Sequence, residues 1–210
     1  MNYTVVIADI INSRMILNRK AFQKKLEKDL SAVSEKSGTI ISPYTVTLGD
    51  EFQAVYTTPE NVIKDYFCIL MKIFPVKLRC SAGIGKISTE IKTDSSIGMD
   101  GPAFYNARKQ MEDIKKIDYS IIQINSGDAN QLRFINKNLN LMNKIMDRWK
   151  YNSLYIFNSL LHGKNFDDIA VDLKISKRGV YKVAETNCIR EFAVVFNEIE
   201  LLISNGDLKK

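Results

Sequence analysis

Histidine is almost missing from this chain: His162 is the single one among 210 residues. With one histidine and three widely spaced cysteines (Cys68, Cys80 and Cys188), no Cys/His zinc site assembles. An odd number of cysteines beside apolar neighbours such as Phe67, Ile69 and Ile189 also excludes a disulfide framework. Such residues read as small buried hydrophobes in a reducing compartment. Proline is scarce, and no proline-rich linker, low-complexity tract or internal repeat breaks the chain. No stretch approaches the ~20 apolar residues that cross a bilayer. The opening MNYTVVIADIINSR lacks a basic segment and carries Asp9 inside its apolar run, so it reads as a strand and not as a signal peptide. These absences point to a cytoplasmic protein with no membrane partner.

What is present is ordinary in bulk. Hydrophobic residues make up 45% of the chain, enough for two cores. The length is long for one domain and comfortable for two small ones, at roughly 100–200 residues per domain. The net charge of +6 mildly favours a polyanionic partner, but 24 acidic residues stand against 30 basic ones, so local clustering must decide.

The first part of the chain alternates strand and helix signals. Tyr3–Ile11 is a nearly continuous β-branched run, as in a strand buried on both faces. Phe22, Leu26, Leu30 and Val33 recur at helical spacing between charges. Ile40–Val46 and Glu51–Val55 read as strands joined by a tight turn at Leu48-Gly49-Asp50. Pro59 opens a helix that carries an apolar face from Val62 to Phe74. Lys77–Ile87 is a strand, Pro102–Ile114 a helix and Tyr119–Ile124 a last strand. The order β-α-β-β-α-β, then α-β, predicts an α+β fold: the split βαβ, ferredoxin-like sheet with one added unit. Beyond Asn125 the strand signals stop, and Leu132–His162 and Phe166–Ile203 read as helices. Gly127 and Asp128 mark the expected boundary, giving an α/β domain over 1–127 and an all-helical domain over 128–210.

The most informative segment is Val46-Thr47-Leu48-Gly49-Asp50-Glu51-Phe52. Alone, Gly-Asp is a common turn dipeptide, and an acidic turn is usually just solvated. Asp9 changes the balance, because a carboxylate near the end of a buried strand is expensive unless it is paired. In a split βαβ sheet the first strand lies beside the hairpin, which brings Asp9 and Asp50 side by side. Two carboxylates held close repel unless a cation lies between them. Mg²⁺ or Mn²⁺ is the natural occupant, since Mg²⁺ takes hard oxygen ligands and shares them with phosphates. Two such ions would activate a hydroxyl and stabilise a leaving phosphate.

VVIADIINSR followed by TLGDEFQAVY resembles the metal-binding strand and hairpin of class III nucleotidyl cyclases. The GDEF string also resembles the signature of GGDEF diguanylate cyclases, with Leu48 in place of the first glycine. The resemblance implies that Asp9 and Asp50 hold metals with help from the Ile10 carbonyl. It also implies that Asn12, Ser13 and Arg14 face a nucleoside triphosphate near a helix N-terminus. RCSAGIGKIST (Arg79–Thr89) resembles the glycine-containing strand that follows in cyclases, and GMDGPAFYNARKQMED (Gly98–Asp113) the helix that supplies their transition-state asparagine and arginine. Those families space the pair four apart; here Asn106 and Arg108 are two apart, with Tyr105 and Lys109 at the better-aligned positions. Residues two apart do not share a helix face. Asn106 is therefore expected to bind nucleotide, and Arg108 or Lys109 to neutralise phosphate charge. Metal–nucleotide binding is expected ahead of cyclisation. ADIINSR, GDEF, GIG and DGPAF with a C-terminal helix pair together resemble the bacterial SatD family. That resemblance implies the layout and no particular reaction.

The second motif runs from Asn165 to Lys182. Asn165 suits a helix N-cap, with Asp167 and Asp168 in the first turn. Ile169, Ala170 and Leu173 form an apolar face, a three-residue turn follows, and Ser176 caps a second helix containing Val180 and Val183. This is helix-turn-helix spacing over about 166–190, and it resembles the DNA-binding region of sigma factors. Lys174–Arg190 holds five basic residues against Glu185 alone, a net +4. Ser176, Lys177, Arg178, Tyr181 and Lys182 would meet the major groove and phosphates of double-stranded DNA. The plainer alternative is a helical hairpin with a solvated basic face, and Gly179 inside the second helix weighs toward it.

Trp149 reads as a core or interdomain anchor. Phe192, Val195, Phe196, Ile199 and Leu202 read as a packing face, and Lys209 and Lys210 as a frayed tail. The expected function is a homodimeric DNA-binding regulator whose N-terminal domain binds a metal–nucleotide. The alternatives are an active nucleotidyl cyclase or nucleotidyltransferase, and an interaction module that kept the fold and lost the ligand.

Overall fold

The computed structural model describes residues 1–127 and 130–204. Its organising element is the β-branched run Tyr3–Ile10 (β1), which takes the centre of a five-stranded sheet. Ile40–Leu48 (β2) and Glu51–Tyr56 (β3) form the expected hairpin. Leu78–Gly85 (β4) and Ile121–Asn125 (β5) complete the order β2-β3-β1-β4-β5. Every pairing is antiparallel except β4 with β5. The first four strands thus have the predicted split βαβ order, and β5 is the added unit.

Side chains alternate across a strand, which assigns the two faces. Val6, Ala8 and Ile10 pack with Leu26 and Leu30 of Arg19–Lys36 (α1) and with Phe67 of Val62–Ile73 (α2). Val5 and Ile7 pack with Ala103 and Ala107 of Pro102–Ile114 (α3) on the opposite face. Asp9 follows the odd-numbered residues and shares α3's side. The β4–α3 approach demands glycine, because a Cβ on Gly83 would lie 2.2 Å from backbone atoms of Ala103 and Ala107.

After the sheet come five helices: Asn130–Met146 (α4), Tyr151–Leu161 (α5), Phe166–Leu173 (α6), Lys177–Thr186 (α7) and Ile189–Ser204 (α8). Each of the two long helical runs expected from sequence is therefore broken. The first break falls at Asp147–Lys150, where Trp149 turns inward to 8% exposure. A further break follows α7, where Cys188 adopts a left-handed φ of 51°. That cysteine is exposed, contrary to its expected burial, while Cys80 is buried; all three are free thiols.

The helical segment does not carry a core of its own. Phe67 of α2, Phe157 of α5 and Phe196 of α8 meet edge to face at centroid distances of 4.7–5.3 Å, and Trp149 stands edge-on to Phe157 and Phe192. Each such contact adds about 0.5–1.5 kcal/mol beyond area burial. One apolar cluster therefore runs from β1 to α8. On α8 the buried row is Phe192, Phe196, Ile199 and Ile203; Val195 and Leu202 of the expected face are exposed. Asp128 of the expected boundary, Lys209 and Lys210 lie outside the described residues.

Candidate functional site

The ladder register assembles a charged row at the end of the sheet. Asp9 on β1 faces Glu51 on β3 and Arg79 on β4. Arg79 Nη1 donates to Asp9 Oδ2 at 2.9 Å, and its Nε donates to the Ile117 carbonyl at 2.7 Å, so the guanidinium is fixed by two bonds. Burial raises the Asp9 pKa above its usual value; the Arg79 hydrogen bond and charge pull it back, and the Asp50 and Glu51 charges push it further up. Asp9 is thus a partly desolvated carboxylate with one cationic partner and two anionic neighbours.

Asp50 reaches this row from the hairpin turn. Gly49 has φ +62°, the left-handed conformation that glycine adopts without strain. Its carbonyl accepts from Gln23 Nε2 at 2.8 Å, which ties the turn to α1. The Asp50 carbonyl accepts from Ile10 N–H at 3.1 Å, clamping the turn to the end of β1. The buried Ser13 hydroxyl donates a short hydrogen bond to Asp50 Oδ2. Asn12, at φ 54°, and Arg14 flank Ser13 and are exposed. The helix start expected here is only the single 3-10 turn Ser13–Met15; α1 begins at Arg19, with Asn18 as its N-cap.

Helix α3 divides the residues expected to serve chemistry. Arg108 Nη1 donates to Glu51 Oε1 at 2.8 Å and Oε2 at 3.0 Å, which brings it to the acidic row. Asn106 turns to the sheet instead: its Nδ2 donates to the Ile84 carbonyl at 2.9 Å, and its own carbonyl accepts from Asn125 Nδ2. Lys109 lines a separate groove with Gln123 and Arg133. Tyr105 donates to Asp100 Oδ2 at 2.7 Å. The two-residue offset read in the sequence is thus a real divergence of faces. Arg79 and Glu51 were missed by sequence reasoning. Only the strand register puts them opposite Asp9, although Arg79 lies within the glycine-strand motif.

The donor set suits a shared divalent ion better than a caged one. Among the described residues no three Asp, Glu, His or Cys side chains converge on a possible ion position. Asp9 and Asp50 each commit one carboxylate oxygen, to Arg79 and Ser13 respectively. Mg²⁺ is commonly held by one or two carboxylates, with waters and substrate phosphates completing its shell. Asp9 and Asp50 fit that pattern through their remaining carboxylate oxygens.

At the other end of the chain, α6 and α7 are joined by the turn Lys174–Ser176, with Lys174 left-handed at φ 53°. Both expected caps form: Asn165 accepts from Asp168 N–H, and Ser176 from Gly179 N–H. Arg178 and Lys182 are exposed. Lys177 is bound to Asp167 Oδ1 at 2.7 Å. Tyr181 is 43% exposed, with its ring edge on Phe166 and the Arg190 guanidinium over it. The segment carries the predicted charges, though two of its groove candidates are already engaged within the fold. Among the described residues, no helix is long and apolar enough to cross a membrane.

No curated protein matches the chain. Among solved structures it is similar to the dimeric guanylyl cyclase domain of the RhoGC fusion protein from the aquatic fungus Blastocladiella emersonii. That pair shares 20% identity over 59% of this chain and 78% of the other, with a TM-score of 0.44. It is also similar to a bacterial light-regulated adenylyl cyclase, at 15% identity over 59% of this chain and 43% of the other, with a TM-score of 0.38. A family model aligns over residues 3–188, from the first strand through the helix pair, and by that match the chain belongs to the SatD family.

Proposed function

We propose that this protein binds a nucleotide through a divalent metal at Asp9 and Asp50, and that its C-terminal helix pair binds DNA, making it a nucleotide-responsive regulator. The observation that carries the first half is the Asp9 environment. A partly desolvated carboxylate has Asp50 and Glu51 as anionic neighbours, and its one ion pair is with Arg79. The two aspartates would hold a divalent ion whose charge offsets this repulsion, leaving room for phosphate oxygens in its shell. Asp9 and Asp50, with the Ile10 carbonyl, would hold Mg²⁺ or Mn²⁺, which would supply charge neutralisation to the phosphates. Arg14, exposed beside the turn, would meet phosphate oxygens, with Asn12 and Ser13 shaping the approach. Arg108 would exchange Glu51 for phosphate.

Binding without turnover is favoured by the state of Asn106. Its amide is committed to the Ile84 carbonyl, on a different face of α3 from Arg108, so it does not converge with the acidic row. The enzyme alternative, attack of a 3′-hydroxyl on an α-phosphate, would rely on Asp9, Asp50, Arg108 and Lys109, of which Lys109 lines another groove.

Calorimetry with ATP and with GTP in the presence of Mg²⁺, comparing wild type with the Asp9→Asn/Asp50→Asn variant, tests the metal–nucleotide half. Saturable binding lost in the variant is the expected result; no binding by wild type would make the two aspartates structural. Pyrophosphate release that depends on Asp50 would promote the enzyme reading. The DNA half rests on exposed Arg178 and Lys182 at the start and middle of α7. A homodimer belongs to the same reading, because paired helices would read symmetric half-sites. Light scattering at high concentration tests it, and a monomer would remove that part.

A further inference from the structure

On the face of the sheet opposite Asp9 lies a second cavity, of about 220 Å³, where the α2–β4 connection meets α4 and α5. Its apolar wall is Phe67, Leu70 and Phe74 from one side and Met146, Trp149 and Leu154 from the other. An engineered cavity of about 150 Å³ lined by Leu, Ile and Phe binds benzene, so this one is large enough for one or two aromatic rings. Interiors are close-packed, so apolar walls set this far apart gain dispersion contacts from an occupant that fits between them.

The polar groups in the wall narrow the class of ligand. Asn143 is 2% exposed and lies in the wall. Among the described residues its Nδ2 donates once, to the Leu139 carbonyl at 2.6 Å, and its Oδ1 accepts a long 3.5 Å contact from Tyr66. Among the described residues the amide thus keeps one N–H and one lone pair beyond these contacts, and a buried amide gains when they are met. Ser120 accepts from Leu78 N–H at 3.1 Å and retains its hydroxyl proton for donation. Lys77 and Asp147, also in the wall, are paired with each other at 2.7 Å, so the cavity offers no unbalanced charge. Neutral donors and acceptors among aromatic walls match a neutral ring carrying its own donor–acceptor edge.

We infer that this cavity is a binding site for a neutral aromatic molecule of one or two rings bearing a carboxamide-like edge, held by Asn143 between the sheet and the helical segment. Because its walls come from both segments, an occupant stiffens their junction. The site is independent of the metal–nucleotide reading.

Trp149 is the only tryptophan in the chain and forms part of the wall, so its emission reports occupancy. Wild-type protein is titrated with benzamide, which carries the edge, and with indole, which has the rings and a lone N–H. Saturable emission changes are expected for both, with intermolecular NOEs from benzamide to the rings of Trp149 and Phe74. Asn143→Leu should weaken benzamide at least tenfold and indole less than threefold. Leu154→Phe, which fills the space, should weaken both at least tenfold, while Asp9→Asn/Asp50→Asn leaves both unchanged. The inference is overturned if wild type shows no saturable response to either probe, or if the NOEs map to another surface. Equal loss of the two probes in Asn143→Leu would overturn the amide contact and the ligand class with it.

Discussion

The guanidinium of Arg79 lies against the carboxylate of Asp9 across the β1–β4 ladder, and the same side chain holds the Ile117 carbonyl in the segment that leads into β5. One residue therefore neutralises a partly desolvated acid and pins the segment entering an outer strand. Arg79→Ala should leave Asp9 facing only Asp50 and Glu51, with the Ile117 carbonyl unpaired. Charge-assisted hydrogen bonds are worth about 1.5–3 kcal/mol each when partly shielded from water, and the pair is 14% and 26% exposed. A loss of about 2–3 kcal/mol is expected in urea unfolding at pH 7. Arg79→Lys should recover only part of it, because an ammonium lacks the fork that makes both bonds. A loss below about 0.5 kcal/mol would mean that Asp9 is solvated and the pair ornamental.

Gly83 makes the approach of α3 to the sheet possible. Its φ is not left-handed, so the requirement is space: a methyl group would enter the backbone of Ala103 and Ala107. Backbone does not give way as a flexible side chain would. Gly83→Ala should therefore displace α3 and cost about 3 kcal/mol or more, at the severe end for overpacking. Arg108 rides on the same helix, so its bond to Glu51 should loosen and nucleotide affinity should fall with stability. Thermal melts together with the calorimetric titration check both. A well-folded variant with unchanged melting would refute the close approach.

The α+β order, the central β1 and the hairpin were legible because each rests on local signals: β-branched runs, a Gly-Asp turn and helical spacing. The clamping of the Asp50 turn to the end of β1, next to Asp9, followed from that topology. The partners of Asp9 were not legible, since Arg79 is 70 positions away and only register puts it opposite. Asn106 shows the reverse: its spacing from Arg108 already placed the two on different faces. The breaks inside the helical half escaped the reading because Asp147–Lys150 contains neither Gly nor Pro. There the chain turns where Trp149 finds Phe157 and Phe192, a tertiary preference that outweighs local propensity. For the same reason the expected separate helical core is instead continuous with that of the sheet.

Asp65 offers a test by pH. It is 8% exposed in α2 and accepts from Tyr56 at 2.9 Å, while Tyr56 is also bonded to Tyr44. Burial raises its pKa above the usual aspartate value; hydrogen bonding from Ser37 and Tyr56 and the nearby His162 oppose the rise, and Glu200 adds to it. A raised folded-state pKa contributes stability that is complete below the unfolded value of 3.8 and is lost as pH climbs through the folded one. Above the folded value that contribution is gone and the ionised carboxylate is a burden. Asp65→Asn, which still accepts from Tyr56, should be more stable than wild type at pH 7. The advantage should shrink as pH approaches 4. Urea midpoints at the two pH values decide it: a variant less stable than wild type at neutral pH would show that the tyrosine bonds outweigh burial.

Lys177 and Arg178 open α7 side by side but in different states. Lys177 is bound to both oxygens of Asp167, at 2.7 and 2.9 Å, whereas Arg178 has no ion-pair partner among the described residues. If α7 meets DNA, Arg178 reaches a phosphate without first breaking a contact. Lys177 must exchange one carboxylate for another anion and gains less. Arg178→Ala should therefore weaken duplex binding by about 1–2 kcal/mol and lower the slope of log K against log salt by about 1. Lys177→Ala should do less, and Asp167→Ala, by freeing the lysine and removing a repelling charge, should tighten binding. Fluorescence anisotropy with a labelled duplex between 50 and 200 mM salt measures all three. Affinity that ignores salt, or is unmoved by Arg178→Ala, would leave the helix pair as a packing element whose basic face is simply solvated.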